Sequence, residues 1–333
     1  MSSKKIEKGG SFKIAEKRPK VLLLGNGIVR AFGEGSWDDL LAKIANKSTD
    51  LDPSAKYDMP NSMKATLLTN NNLQENLKTY YENSKTFNIS DKLKDFLQKI
   101  LALDFDHIIT TNYSYEIECA LFGRKISKDT IYNSQRAFKT RCKTHYLLHT
   151  FNQIKDHKIW HIHGEIRKPS SIVLGYYAYG KLISHYVSYL GKQAENFVEK
   201  SRKNKSITIK SWLDAFVLGD VYILGFGLDF AEIDSWWLLD YKTKKPTSSE
   251  SFCGKTVFIA PKENSADKFS YPQCKYELLK TYKVETEDFG ISIPADDNSD
   301  NKYKKETKDQ RNELFRAFYE KAYEYLTTKI GKR

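Results

Sequence analysis

Four short groups of residues in this sequence join side chains that move protons or bind hydroxyls to glycines that admit a ligand close to the backbone. The first is Thr110-Thr111-Asn112-Tyr113, a polar turn after the apolar pair Ile108-Ile109. An amide there can hold a hydroxyl or a water without adding charge, although Thr111 or Asn112 would equally suit a helix cap. The second is His161 with His163-Gly164. A neutral imidazole accepts a proton near pH 7. Two residues apart on a strand, the histidines point the same way, so pattern alone does not choose between them. Such a pair can also ligate a metal, but no nearby cysteine or carboxylate pattern completes a site, and no metal is expected.

The third group is Gly25-Asn26-Gly27, directly after Val21–Leu24. Glycine lets backbone amides approach a phosphate, and it also makes an ordinary tight turn. The full dinucleotide fingerprint needs a glycine where Arg30 stands, so an ordinary dehydrogenase is excluded. The fourth is Gly225-Phe226-Gly227-Leu228-Asp229, followed by Asp234. An acidic residue there suits a ribose hydroxyl. Asp229 and Glu232 fit a helix cap, which leaves Asp234 as the functional candidate.

These groups need elements to hold them. Short apolar runs predict strands at 21–24, 108–111, 158–164, 171–175, 220–224, 256–261 and 282–286. Helical spacing fills much of the remainder: a helix capped by Ser36, then Leu73, Leu77, Leu93, Phe96, Leu97 and Ile100, then 176–217, the helix through Trp236-Trp237, and an amphipathic helix over 309–330. Residues 122–157 show no clear period. Strands alternating with helices predict an α/β fold: a Rossmann-like, mostly parallel sheet with helices on both faces and helical insertions at about 58–103 and 176–217. In such sheets ligands bind at the carboxyl ends of the strands, where all four groups fall. The expected organisation is a basic N-terminal arm (1–19), one main domain (20–290), and a polar loop with the C-terminal helix (291–333).

The chain has 333 residues, with 54 Lys and Arg against 42 Asp and Glu, a net charge of +12. The excess gathers in the N-terminal arm, at Lys200, Arg202, Lys203, Lys205 and Lys210, and near the C-terminus. Solvated lysine-rich faces account for it, and contact with nucleic acid is permitted. No apolar run approaches the roughly 20 residues of a membrane span. The N-terminal stretch lacks the apolar core of a secretory signal, so a cytoplasmic location and no membrane partner are expected. Cys119, Cys142, Cys253 and Cys274 have no CxxC spacing, which fits free thiols and no zinc module.

In this order, a strand into Gly-x-Gly with Trp37-x-x-Leu40-Leu41, then Thr-Thr-Asn-Tyr, His-Gly and Gly-x-Gly with a later Asp resemble the sirtuin-like family. More narrowly, they resemble the bacterial sirtuin-like NAD-consuming effectors of anti-phage defence, such as those of the Thoeris type. The resemblance covers about residues 21–286. It implies an NAD-binding domain over 20–290, with Asn112 and His163 catalytic and Gly25, Asn26, Gly27, Thr111, Gly225, Gly227 and Asp234 binding NAD. The family's first-loop serine is Val29 here, and an Asp frequent after Thr-Asn-Tyr is Ser114. Protein-deacylating sirtuins carry two CxxC pairs that hold zinc, and this chain has none. The expected activity is therefore NAD+ hydrolysis, with NAD as substrate and no further cofactor. A homo-oligomer and a separate sensor or activator subunit are the expected partners. The alternatives are an NAD or ADP-ribose sensor with little turnover, a nucleic-acid-contacting subunit, and a protein deacylase.

Overall fold

The computed structural model describes residues 11–13, 16–33, 35, 37–45, 59–69, 72–83, 86–123, 126–127, 146–166, 168–244, 252–263, 271–291 and 303–333. Two minor ladders stand apart from the main sheet: β1 (Ser11–Phe12) with β8 (Ile207–Thr208), and β3 (Thr86–Phe87) with β5 (Ile126–Ser127). The main sheet is built from β2 (Lys20–Leu24), β4 (His107–Thr110), β6 (Asn152–Ile154), β7 (His157–His161), β9 (Asp220–Leu224), β10 (Thr256–Glu263) and β11 (Glu285–Ile291). Its order is β11-β10-β9-β2-β4-β7-β6, parallel throughout except for β6, which runs antiparallel to β7.

The six parallel strands follow the doubly wound order, with the first strand, β2, between the second, β4, and the fourth, β9. The chain reverses its direction of winding between β2 and β9. The loops after those strands diverge there, and this is where such folds bind ligands.

Alternation along the strands explains the two layers. Val21 and Leu23 face one way and pack with Ile109, Trp160, Val221 and Ile223 against the helices Tyr176–Arg202, Trp212–Leu218 and Ile233–Lys244. Leu22 and Leu24 face the other way and pack with Ile108, Ile159, Tyr222 and Val257 against the helices Asp91–Leu101 and Tyr303–Ile330. Strands buried on both faces read as unbroken apolar runs, as 21–24 and 221–224 do. Each fully buried Leu or Val contributes about 1.5–3 kcal/mol.

A third, smaller cluster lies over the carboxyl edge. Helices Trp37–Ile44, Asn61–Thr69 and Leu73–Asn83 bring Leu41, Ile44, Ala65, Leu68 and Leu77 onto Tyr113, Ile172 and Leu174. These helices belong to the crossover from β2 to β4.

Several expectations are corrected. The expected strand over 171–175 is a short 3-10 turn, Pro169–Ser171, followed by unpaired extended chain; the Val173 amide donates to the His163 carbonyl at 2.8 Å. The 176–217 stretch is no insertion. Tyr179, Tyr186, Leu190 and Phe197 of its long helix enter the main core, and it forms the crossover from β7 to β9. The irregular region 122–157 holds β6, which three residues are too few to announce by period. The far end of the basic arm is held: Ser11–Phe12 pairs with β8, and Arg18 donates to the carbonyls of Leu218 and Phe252 at 3.0 and 2.7 Å. The last strand starts at Glu285, not at Tyr282, and the C-terminal helix begins at Tyr303. Ser36 and Cys142 lie outside the described residues.

Candidate functional site

Asn112 sits in the turn after β4. Its backbone amide is held by Thr110 Oγ1 at 3.1 Å, while the Thr110 hydroxyl donates to the Leu24 carbonyl at 2.9 Å. That tie fastens the turn to β2. Asn112 is 9% exposed, and its buried side-chain Oδ1 has no hydrogen-bond partner among the described residues. An unpaired buried carbonyl oxygen costs free energy comparable to a lost hydrogen bond. It is not serving as a helix cap: Tyr115 stands at the N-cap of Glu116–Phe122 and no side chain caps that helix. Thr111 is buried, with its amide directed at the Leu24 carbonyl 3.4 Å away.

His161 and His163 do not share a face. β7 ends at His161, and the two-residue alternation ends with it. His161 turns toward helix Glu116–Phe122: its Nε2 lies 2.8 Å from Glu118 Oε1 and its Nδ1 2.7 Å from the Asn112 carbonyl. Asn152 of β6 also donates to Glu118 Oε1 at 2.8 Å. Burial alone would discharge this imidazole, but Glu118 overrides it and raises its pKa to about 9. The same pairing holds Glu118 below the usual range against its own burial. His161 is therefore an imidazolium in a buried ion pair, unsuited to accept a proton.

His163 reaches the other way, across the sheet's reversal point, to the segment after β9. Its Nε2 lies 2.9 Å from Asp234 Oδ2, and its Nδ1 lies 4.0 Å from Glu232 Oε2. Gly164, at φ +93°, makes the turn, and a Cβ there would lie 2.3 Å from the Ser171 carbonyl oxygen. Two tyrosines of helix Tyr176–Arg202, seven residues apart and so on one face, close the group. Tyr179 donates to Glu232 Oε2 at 2.8 Å and Tyr186 to Asp234 Oδ2 at 3.2 Å. Burial would lower the His163 pKa, and Asp234 with Glu232 raises it above its usual value. Burial raises Glu232, against the opposing pull of His163.

Asp234 is 0% exposed; its Oδ2 supports His163, and its Oδ1 has no hydrogen-bond partner among the described residues. Glu232, set aside as a cap residue, stands just before the helix that starts at Ile233, but its side chain turns to Tyr179 and His163, while Asp229 Oδ1 accepts from the Ala231 amide at 2.8 Å. One sign was legible: Asp229, Glu232 and Asp234 give more carboxylates than a cap needs.

The two glycine turns press on each other. Gly25 donates to the Leu224 carbonyl at 3.0 Å and Gly27 to the Gly225 carbonyl at 2.7 Å. A Cβ on Gly25 would lie 2.4 Å from Phe226 Cα. The Gly25 and Gly27 amides are thus already engaged, and these two glycines serve the packing of loop on loop. Asn26 donates to the Gly35 carbonyl at 2.9 Å, bracing the same loop. The exposed Gly227 has its carbonyl held by Lys275 Nζ at 2.8 Å, and the Lys275 ammonium rests 4.2 Å from the Tyr271 ring centre.

His163, Glu232 and Asp234 each bring one ligand atom within 4.8 Å of the others, a spacing able to hold a metal ion. His163 Nε2 and the Tyr186 hydroxyl both engage Asp234 Oδ2 and Tyr179 engages Glu232 Oε2, while Asp234 Oδ1 has no hydrogen-bond partner among the described residues, so the same three residues suit a proton network or a cation.

Residues 106–229 match the family model of the SIR2-like domain. The match supports a sirtuin-like family and points to an NAD-related enzyme. It takes in Asn112, His163, Gly225 and Gly227, and leaves Gly25, Glu232 and Asp234 outside. No curated protein matches the chain.

Proposed function

We propose that this protein is an NAD+ nucleosidase: it hydrolyses the nicotinamide–ribose bond and acts by depleting NAD in bacterial anti-phage defence. The observation that carries the reading is the buried, unpartnered Asn112 Oδ1 at the carboxyl edge of a doubly wound sheet, within a stretch matching the SIR2-like domain. A polar atom left without a partner in an otherwise satisfied turn is paired when a ligand hydroxyl or water arrives.

Cleavage builds positive charge on the ribose, as in glycoside hydrolysis. Asn112 Oδ1 accepts from a ribose hydroxyl or from the attacking water and so fixes its line of approach without adding charge. His163, with Nε2 committed to Asp234, keeps Nδ1 as the nitrogen that receives the proton. Asp234 stabilises the imidazolium so formed, the role a buried carboxylate plays behind a catalytic histidine. NAD is the substrate, and no zinc takes part. The proposed assembly is a homo-oligomer controlled by a separate sensor or activator. The basic cluster at Lys200–Lys210 is a secondary candidate for nucleic-acid contact, to be tested by salt-dependent binding.

One observation favours a second reading, a module that binds NAD or ADP-ribose with little turnover: His163 is only 1% exposed. Nicotinamide release from NAD, followed by chromatography, separates the two. Turnover that vanishes in Asn112→Ala and in His163→Ala supports the hydrolase. Tight binding without release, even with the partner present, selects the sensor. The absence of both binding and release overturns the NAD reading.

A further inference from the structure

Glu232 is the most exposed of the three groups gathered at His163. Its side chain is 18% exposed, against 1% for His163 and 0% for Asp234. A ligand entering over the carboxyl edge therefore meets the Glu232 carboxylate before it meets the imidazole. Tyr179 fixes that carboxylate through Oε2, and the His163 ring lies edge-on to Tyr179 with centroids 5.6 Å apart. Exposure falls from Glu232 to His163 and Asp234, whose polar atoms all lie within 4.8 Å of one another, with Glu232 nearest Nδ1 and Asp234 on Nε2. A carboxylate in a partly buried, acid-rich setting is the usual proton-handling group at a glycosidic bond.

We infer that Glu232 is a catalytic residue: its carboxylate takes the proton of the attacking water and hands it to His163 Nδ1. The inference rests on the NAD-hydrolase reading. In the step, the water oxygen bonds to the anomeric carbon of the ribose. The carbon–nitrogen bond to nicotinamide breaks, and its electron pair stays on the ring nitrogen, which becomes neutral. The water's proton passes to Glu232 and on to His163, and leaves to solvent when the products go. NAD+ and water thus give ADP-ribose, nicotinamide and one proton. The 4.0 Å between Glu232 Oε2 and His163 Nδ1 closes to a hydrogen bond by a small side-chain rotation, as catalytic contacts commonly do when substrate binds.

The test is nicotinamide release by the full chain, assembled with its activator where one is required. Wild type, Glu232→Gln, Glu232→Ala and Glu232→Ala with added formate are compared, with NAD binding followed by calorimetry. The expected result is a kcat roughly 100-fold lower in Glu232→Gln, with NAD affinity within about threefold of wild type. Formate, a small carboxylate able to occupy the vacated space, restores turnover to Glu232→Ala; a purely structural role would not respond to it. A Glu232→Gln protein with wild-type kcat overturns the inference and leaves the hydrolase reading standing. A low kcat in Glu232→Ala that formate fails to raise, with binding intact, also overturns it. A wild type that binds no NAD and releases no nicotinamide overturns the underlying reading, and the inference with it.

Discussion

The Nδ1 of His161 lies 2.7 Å from the carbonyl oxygen of Asn112. Of two histidines that the sequence leaves equivalent, one therefore holds the backbone of the amide residue, and the other, His163, faces Asp234 and Glu232. The division of labour follows from where β7 stops.

The His161–Glu118 pair makes stability depend on pH. The folded-state pKa of His161, about 9, lies above its unfolded value, so its contribution is complete below about pH 6.5 and is lost as pH rises through 9. Glu118→Gln removes the partner of a buried charge and is expected to cost about 3–5 kcal/mol near pH 7. Urea unfolding at pH 6, 7.5 and 9 measures both the loss and its flattening with pH; a variant as stable as wild type at pH 7 refutes the pairing.

Asn112→Ala separates function from fold. The side-chain oxygen has no partner to lose among the described residues, so the substitution is expected to change unfolding stability by less than about 1 kcal/mol. NAD turnover is expected to fall by roughly 100-fold or more. A variant that unfolds readily would mean that the amide is structural.

Asp234→Asn tests the support behind His163. Burial lowers that imidazole's pKa and Asp234 counteracts it. Without the carboxylate, the acid limb of the kcat profile moves to lower pH as turnover drops. A profile recorded from pH 5 to 9 that keeps its wild-type limb argues against His163 as the titrating group.

Loop packing predicts a contrast between glycines. Gly25→Ala places a methyl 2.4 Å from Phe226 Cα and is expected to destabilise by about 1–3 kcal/mol or more. In Gly227→Ala the added methyl comes no closer than 3.6 Å, to the Tyr271 hydroxyl, so thermal unfolding is expected to shift far less. Equal losses would contradict the packing role.

If His163, Glu232 and Asp234 relay a proton, chelator treatment leaves nicotinamide release unchanged. Activity lost to a chelator and restored by a divalent cation would instead make the same three residues a metal site.

The fold was legible because β2 and β9 are apolar runs too short for helices, each ended by a glycine turn. The Asn112 turn was legible for the same reason: a polar cluster breaks an apolar strand. Glu232 was legible only as one carboxylate more than a cap needs, and the position of His163 across the sheet shows its other use. Nor could sequence separate the histidines, because alternation applies only while a strand lasts. The engaged amides of Gly25 and Gly27 depend on a loop some 200 residues away, which no local pattern reports.

The described sheet ends in β6 on one side, three residues long, and in β11 on the other, where Glu285, Glu287 and Asp288 repeat negative charge. A short edge and a charged edge are both poor templates for another chain. Continuous β-sheets spanning two copies of this protein are thereby disfavoured, and contacts between copies through helices or loops are the expected route to any larger particle. A ring or filament built that way would not extend the sheet from one copy to the next.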